Sequence, residues 1–420
     1  MTPLRVLCID IEGGSGGSSR SLYELLRHVD RSRVAAEVWC RRPSQMVERY
    51  AAEGIACRVE PKIPSYSALL RPSRNLASLG RALTLMRANR KHLASLAHEI
   101  DGRFDLVHLN HEGLFLFAPW LRRRADAVIT QHIRTRCWDY GGTFARWQAR
   151  VIERTTGARV FITENEAESF ATVLRRSANG REKRAAVIYN VVSEPAKPPA
   201  PDPRIPLDGR FHVASLSNFA AIRGSDRIVD IARALESRSA ADVLFVVAGE
   251  ETMDKRLPGD IGAAARRGLG FGDFVKETRL TDRILVLGHV ADPERVLAGC
   301  DMLIKPTREA NPWGRDILES LAAGKPALSF GTYDRFLEDG VTGVLMRDYD
   351  PAAVVDAILT LAGDRARCKW LGAAGRNRIA ALCDGPRQAA KLVALWERSA
   401  ARSAKDTSGG SLSGQAACAG

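Results

Sequence analysis

The chain has 420 residues, 45% apolar and 26% charged, with a net charge of +13. That balance belongs to a globular protein long enough for two cores, and no apolar run nears the roughly 18 to 20 residues that span a bilayer. Eight cysteines lie scattered, with no Cys-x-x-Cys pair and no histidine at ligand spacing, which excludes a disulfide framework and a zinc site and points to a reducing, cytoplasmic setting.

In chain order, residues 4–11 read as a first strand; Arg5 and the acid Asp10 that ends the apolar run argue against a signal peptide. The glycine run at 13–17 follows, then an amphipathic helix from Ser21 to His28 carrying Leu22, Leu25 and Leu26. Strand, glycine turn and helix open a parallel α/β domain. Further strands are predicted at 34–40, 105–109, 126–131, 158–163 and 186–189, spaced for a doubly wound sheet. Pro-rich residues 193–210 suit neither helix nor central strand and read as a linker between domain 1–192 and domain 211–385. The pattern then restarts, with strands at 211–216, 243–248, 284–288, 301–305 and 327–330, helices at 225–236, 292–299 and 315–323, and a turn at 338–343. A last helix, 386–402, is expected to pack back across the domains, and the Ser/Gly/Ala-rich tail 403–420 reads as disordered.

Charge is unevenly spread. Residues 1–200 hold 32 Lys+Arg against 20 Asp+Glu, while the remainder is nearly balanced. From Pro61 to His98 there is no acid, but Lys62, Arg71, Arg74, Arg81, Arg87, Arg90 and Lys91 alternate with leucines 76, 79, 83, 85, 93 and 96, as in a basic helix. Two readings stand: a solvated helix face, or a surface drawn to anionic lipid headgroups or a polyanionic acceptor, at about 1 kcal/mol per basic residue near a charged leaflet. Nucleic acid is not expected as a partner, because no interleaved aromatics or recognition helix accompany the charge.

The chemistry concentrates in Asn311-Pro312-Trp313-Gly314-Arg315-Asp316-Ile317-Leu318-Glu319-Ser320, just after a strand ending at Lys305. A Pro-aromatic-Gly turn lets backbone pass close to a ligand, and the helix that follows aims free N–H groups and its positive end at an anion. Glu319, about one turn in, is placed to accept hydrogen bonds from a cis-diol such as a ribose. The stretch, with Gly324-Lys325-Pro326 behind it, resembles the family-4 (group 1) glycosyltransferases of the GT-B fold, whose signature is Glu-x7-Glu before a Gly-Lys-Pro turn. Asn311 stands where that family has its first glutamate.

The resemblance extends from about residue 4 to 385. In the family's Gly-Arg-x4-Lys-Gly loop, two cations neutralise the departing diphosphate; Arg223 falls on the lysine, Asn218 on the arginine without its charge, and Arg315 is a candidate for the missing cation. Gly288-His289-Val290 matches the Gly-x-Val loop that reads the nucleobase through its backbone, and Gly16 and Gly17 match a glycine pair that contacts donor phosphate. His132 falls on the active-site histidine near the donor sugar, Asn190 on an asparagine at the domain junction, here expected to be a cap, and His108 and His111 share that strand edge.

The resemblance thus implies two Rossmann-like domains facing across a cleft, with His132, Asn311 and Arg223 at the reacting end. The donor-binding set it implies is Gly16, Gly17, Asn218, Arg223, Gly288, Val290, Trp313, Gly314, Arg315 and Glu319. The expected reaction moves a sugar, with retention, from a UDP- or GDP-linked donor to a hydroxyl of a glycan or lipid-linked acceptor in surface polysaccharide assembly. Neither metal nor cofactor is expected, and the protein is expected in the cytoplasm or peripherally at the inner membrane face. Two alternatives share the fold: a sugar-nucleotide epimerase or hydrolase, and a silent binding protein argued from Asn218 and Asn311.

Overall fold

The computed structural model describes residues 2–10, 16–63, 76–136, 142–174, 184–192, 198–238 and 242–411. The chain divides into two compact units, one of Met1–Val191 with Gly385–Gly420 and the other of Val192–Asp384.

The first unit holds strands β1 (Leu4–Asp10), β2 (Val34–Cys40), β3 (Ala56–Val59), β4 (Leu106–Leu109), β5 (Val128–Ile133), β6 (Ala158–Phe161) and β7 (Ala185–Val187). All pair in parallel, in the order β3-β2-β1-β4-β5-β6-β7. The second unit holds β8 (Phe211–Leu216), β9 (Val243–Ala248), β10 (Ile284–Gly288), β11 (Met302–Lys305), β12 (Ala327–Phe330) and β13 (Gly343–Met346), parallel in the order β10-β9-β8-β11-β12-β13. In each sheet the chain winds outward, returns to the centre and winds the other way, so the direction switches between β1 and β4 and between β8 and β11. Loops leaving the carboxyl ends of such a pair part to opposite faces and leave a crevice, where parallel α/β sheets hold ligands.

Helices cover both faces, so central strands are apolar throughout: every residue of β9, Val-Leu-Phe-Val-Val-Ala, is buried. The second unit's core gathers Phe211, Phe245 and Ile304 with Ile228, Val229 and Ile358 from the helices. In the first unit, the helix Gly385–Ser411 sends Leu392, Val393, Leu395 and Trp396 into the core beside Val6, Cys8 and Leu106. Each such side chain removed from water contributes about 1.5 to 3 kcal/mol, which fastens the chain's last helix to its first domain.

Several elements differ from the sequence reading. β3 and β13 were not expected: β3 is a half-buried edge of four residues and β13 follows directly on the turn at 338–342, so neither shows a clear apolar period. The basic stretch forms two helices, Leu76–Ala88 and Arg90–Ile100, not one. Leu93 and Leu96 face the core, Leu83 is half exposed, and Arg87, Arg90 and Lys91 face solvent. Residues 64–75, with Arg71 and Arg74, lie outside the described residues. The last helix runs to Ser411, so residues 403–411, read as tail, continue it; propagating a turn from a formed helix costs far less than starting one. Residues 412–420 lie outside the described residues.

Candidate functional site

In the second unit, β8 leads through Ser217 and Asn218 to a short turn, Ala221–Arg223, and then to the helix Ser225–Ser237. Gly224 between them has φ +72°, and a Cβ there would meet the carbonyl oxygen of Pro306 at 1.9 Å, so only glycine fits. The loop after β11 is stitched to this turn. Arg308 donates from its backbone to the Ile222 carbonyl at 2.9 Å and grips Asp226 with both terminal nitrogens, while Arg227 donates to the Pro306 and Thr307 carbonyls. These bonds bring Arg223 to the 305–319 segment: its Nη1 lies 3.5 Å from Glu309 Oε2, which also accepts from Asn311 Nδ2 at 3.0 Å. Asn311 Oδ1 is buried without a partner among the described residues, and Ala310 is held at φ +48°, uncommon for a residue with a side chain. Asn218 is exposed and uses its side chain locally, accepting weakly from Ala220 N–H at 3.4 Å.

Gly314 caps the helix Arg315–Ala322 and offers no side-chain acceptor to its first N–H groups. Below it runs Lys305, 3% exposed, whose Nζ lies 3.2 Å from Asp316 Oδ1. A Cβ on residue 314 would sit 2.1 Å from that Nζ and 2.4 Å from that Oδ1, so the turn needs glycine to let the buried pair pass. Burial pushes the Lys305 ammonium below its ordinary pKa and Arg223 adds to this, while Asp316 opposes it. Lys305, Glu309 and Asp316 were not singled out as site residues; the legible signal was a lysine closing an otherwise apolar strand. Trp313 is 4% exposed and packs edge-on against Tyr333 at 5.1 Å, so it braces the turn. Arg315 turns toward its own helix, with Nη2 at 2.8 Å and Nε at 2.9 Å from Glu319 Oε1. The proposed extra cation and the proposed ribose ligand therefore hold each other. At the end of β10, Gly288 has φ +67° and its carbonyl accepts from Gly249, Val290 is half-buried, and His289 is exposed.

In the first unit, Gly16 precedes the helix Gly17–Leu26, and residues 11–15 of the glycine run lie outside the described residues. The carbonyl of Ser18 in its first turn accepts from Asn110 Nδ2, which also reaches Asp10 Oδ1, both at 3.2 Å. Arg134, two residues past His132, is 9% exposed. It donates to the Asn110 carbonyl and side chain, to Asn190 Oδ1 at 3.2 Å and to His132 Nδ1 at 3.2 Å, and its backbone N–H bonds to buried Glu112. Asn190, expected as a cap, thus serves a buried arginine. His132 and His108 are wholly buried, 3.3 Å apart between Nδ1 and Nε2. Burial first, and Arg134 second, lower both pKa values, that of His108 to about 3, so both rings stay neutral. His111 accepts from Gly113 N–H and caps the short turn Glu112–Leu114.

Two doubly wound parallel units define the GT-B architecture, and solved structures agree. HepE of Anabaena, determined with UDP and glucose, superposes with a TM-score of 0.70 at 16% identity, over 94% of this chain and all of its own. Sucrose-phosphate synthase of Thermosynechococcus elongatus gives 0.65 at 17% identity, over 94% of this chain and 98% of its own. Family models match both halves, the glycosyl transferase 4-like domain over residues 16–191 and glycosyl transferases group 1 over residues 210–364. The chain belongs to the family-4, group 1 glycosyltransferases, and it is an enzyme of that class. Among curated relatives, the alpha-D-kanosaminyltransferase of Streptomyces kanamyceticus is 25% identical over 308 residues, 68% of this chain and 73% of its own length. D-inositol 3-phosphate glycosyltransferase of Nocardia farcinica is 26% identical over 66% of this chain and 62% of its own length. No described helix is long and apolar enough to cross a membrane.

Proposed function

We propose that this glycosyltransferase moves a sugar, with retention of anomeric configuration, from a uridine diphosphate sugar to a hydroxyl of a glycan or lipid-linked acceptor. The observation that carries the donor assignment is the glycine-capped helix start at Gly314, with Arg223 on the stitched loop beside it. Cleaving the glycosidic C–O bond builds negative charge on the leaving diphosphate. The positive dipole end of that helix start and the Arg223 guanidinium are placed to hold it without metal or cofactor. The HepE complexes with UDP and with UDP-glucose favour uridine over guanosine.

In this reading Glu319 exchanges Arg315 for the ribose hydroxyls, Gly288 and Val290 border the base, and Trp313 holds the turn rigid. Asn311 contacts the sugar with its unsatisfied Oδ1, and Glu309, two residues earlier, supplies a carboxylate next to it. Acceptor recognition is assigned to the first unit, with His132 toward the sugar and Gly16 and Gly17 at a helix start able to meet phosphate. The solvent-facing Arg87, Arg90 and Lys91 beside half-exposed Leu83 support attraction to an anionic leaflet during surface glycan assembly.

Calorimetry with UDP, UDP-glucose and a GDP-sugar, on the wild type and on Glu319→Ala, tests the donor site. UDP-linked donors are expected to bind at micromolar concentration and to weaken about tenfold in the variant. No binding by any sugar nucleotide at millimolar concentration refutes it. Vesicle pelleting at low salt, with and without anionic lipid, tests the membrane face.

A further inference from the structure

We infer that Trp396, His108 and Arg134 are positioning residues that fix His132 as a neutral hydrogen-bond donor, its single ring proton on Nε2 and offered to an oxygen of the ligand. The argument needs only groups whose roles are unambiguous. An indole N–H and a guanidinium can donate but never accept. Trp396 Nε1 lies 3.3 Å from His108 Nδ1, so that nitrogen presents its lone pair; the Thr130 hydroxyl, 2.9 Å from the same atom, turns its own proton to it. The proton of neutral His108 is therefore on Nε2, which points at His132 Nδ1 across 3.3 Å. The same Nδ1 receives Arg134 Nη2 at 3.2 Å. With two donors converging on it, Nδ1 of His132 carries the lone pair, and its proton is on Nε2.

Nε2 of His132 is buried and has no hydrogen-bond partner among the described residues. Buried donors in native proteins nearly always have one, so the open donor marks where a ligand oxygen docks. Arg134 is itself fixed by the Asn110 carbonyl and side chain and by Asn190, so its aim at His132 does not depend on a mobile side chain. The relay begins on the chain's last helix, where Trp396 is fully buried, so that helix reaches the site through its indole as well as closing the core. Chemically the arrangement excludes general-base catalysis by His132, because the nitrogen that is open to substrate already carries the proton. It permits the ring to hold a sugar hydroxyl oxygen or to steady charge growing near the leaving group. The tautomer stands on its own, and only the identity of the bound oxygen rests on the proposed donor reading.

The test uses the full chain with 15N-labelled histidine, assigning His132 by comparison with His132→Gln. Two-bond 1H–15N correlations at pH 7.5 are expected to show His132 and His108 each with an unprotonated Nδ1 and a protonated Nε2. A protonated Nδ1, or two protonated nitrogens, on His132 overturns the inference. Trp396→Phe removes the first donor; it is expected to move part of the His108 population to the Nδ1 tautomer and to lower kcat about tenfold, with donor KM within about twofold. A lowered Tm with unchanged tautomers and unchanged kcat would make Trp396 merely structural. His132→Gln retains an N–H donor and is expected to keep about ten times the activity of His132→Ala, whereas equal losses refute the donor role. Should no sugar be transferred by any form, the functional reading fails while the spectra still decide the relay.

Discussion

Mild acid should loosen the first unit through His108 and His132. Both are wholly buried and neutral, with pKa values lowered by burial and by Arg134, that of His108 to about 3. In the unfolded chain a histidine titrates near 6.5. Their folded values are depressed bases, so below about pH 6.5 the unfolded state takes up protons that the folded state refuses. Stability is therefore full above that pH and falls as pH drops toward the folded value. Integrating the linkage from pH 7.5 to 5.5 gives about 1.4 kcal/mol for each ring, or roughly 2.7 kcal/mol for the pair. Ordinary carboxylates titrate near pH 4 and contribute little in this window. Hydrogen exchange of peptides spanning β4 and β5 reads the first unit by itself, and the free energy of its slowest amides should fall by about that amount. His108→Gln removes one of the two titrating groups and should halve the slope. A free energy that is flat between pH 7.5 and 5.5, or a variant that keeps the whole slope, refutes the reasoning.

Gly314→Ala places a Cβ on the Lys305–Asp316 pair and should weaken UDP binding about tenfold or more by calorimetry; unchanged affinity would mean that the pair moves freely. Lys305→Met leaves Asp316 without its cation beneath the helix start, and should lower both Tm and nucleotide affinity; unaltered values would remove Lys305 from the site. Asp226→Asn weakens the two-pronged grip of Arg308 that joins the loops after β8 and β11, at a cost of about 1 to 2 kcal/mol in urea unfolding, and no change would show that the stitching is dispensable.

The departures from the family pattern have local counterparts. Asn311 lacks the carboxylate of the family's first glutamate, but its amide bonds to the Glu309 carboxylate, itself beside Arg223. Asn218 lacks a cation, while a buried ammonium, Lys305, lies under the next helix start. The carboxylate recurs two residues before Asn311, and the buried ammonium at the end of β11 lies far from Asn218 along the chain.

The amino-acid order by itself determined the two doubly wound units, because parallel strands buried on both faces must be nearly continuous apolar runs, and these recur between amphipathic helices. It also marked the glycine-capped turn at 311–319, since a glycine before a helix and a carboxylate one turn in are local features. What it could not convey were partnerships between particular side chains. Arg315 closes on Glu319 only once both lie on one helical face, Lys305 finds Asp316 under a glycine without a side chain, and Trp396 meets His108 across 288 positions. Hydrogen-bond direction and the charge state of a buried ring depend on which donors converge on it in space, and only the tertiary structure decides that.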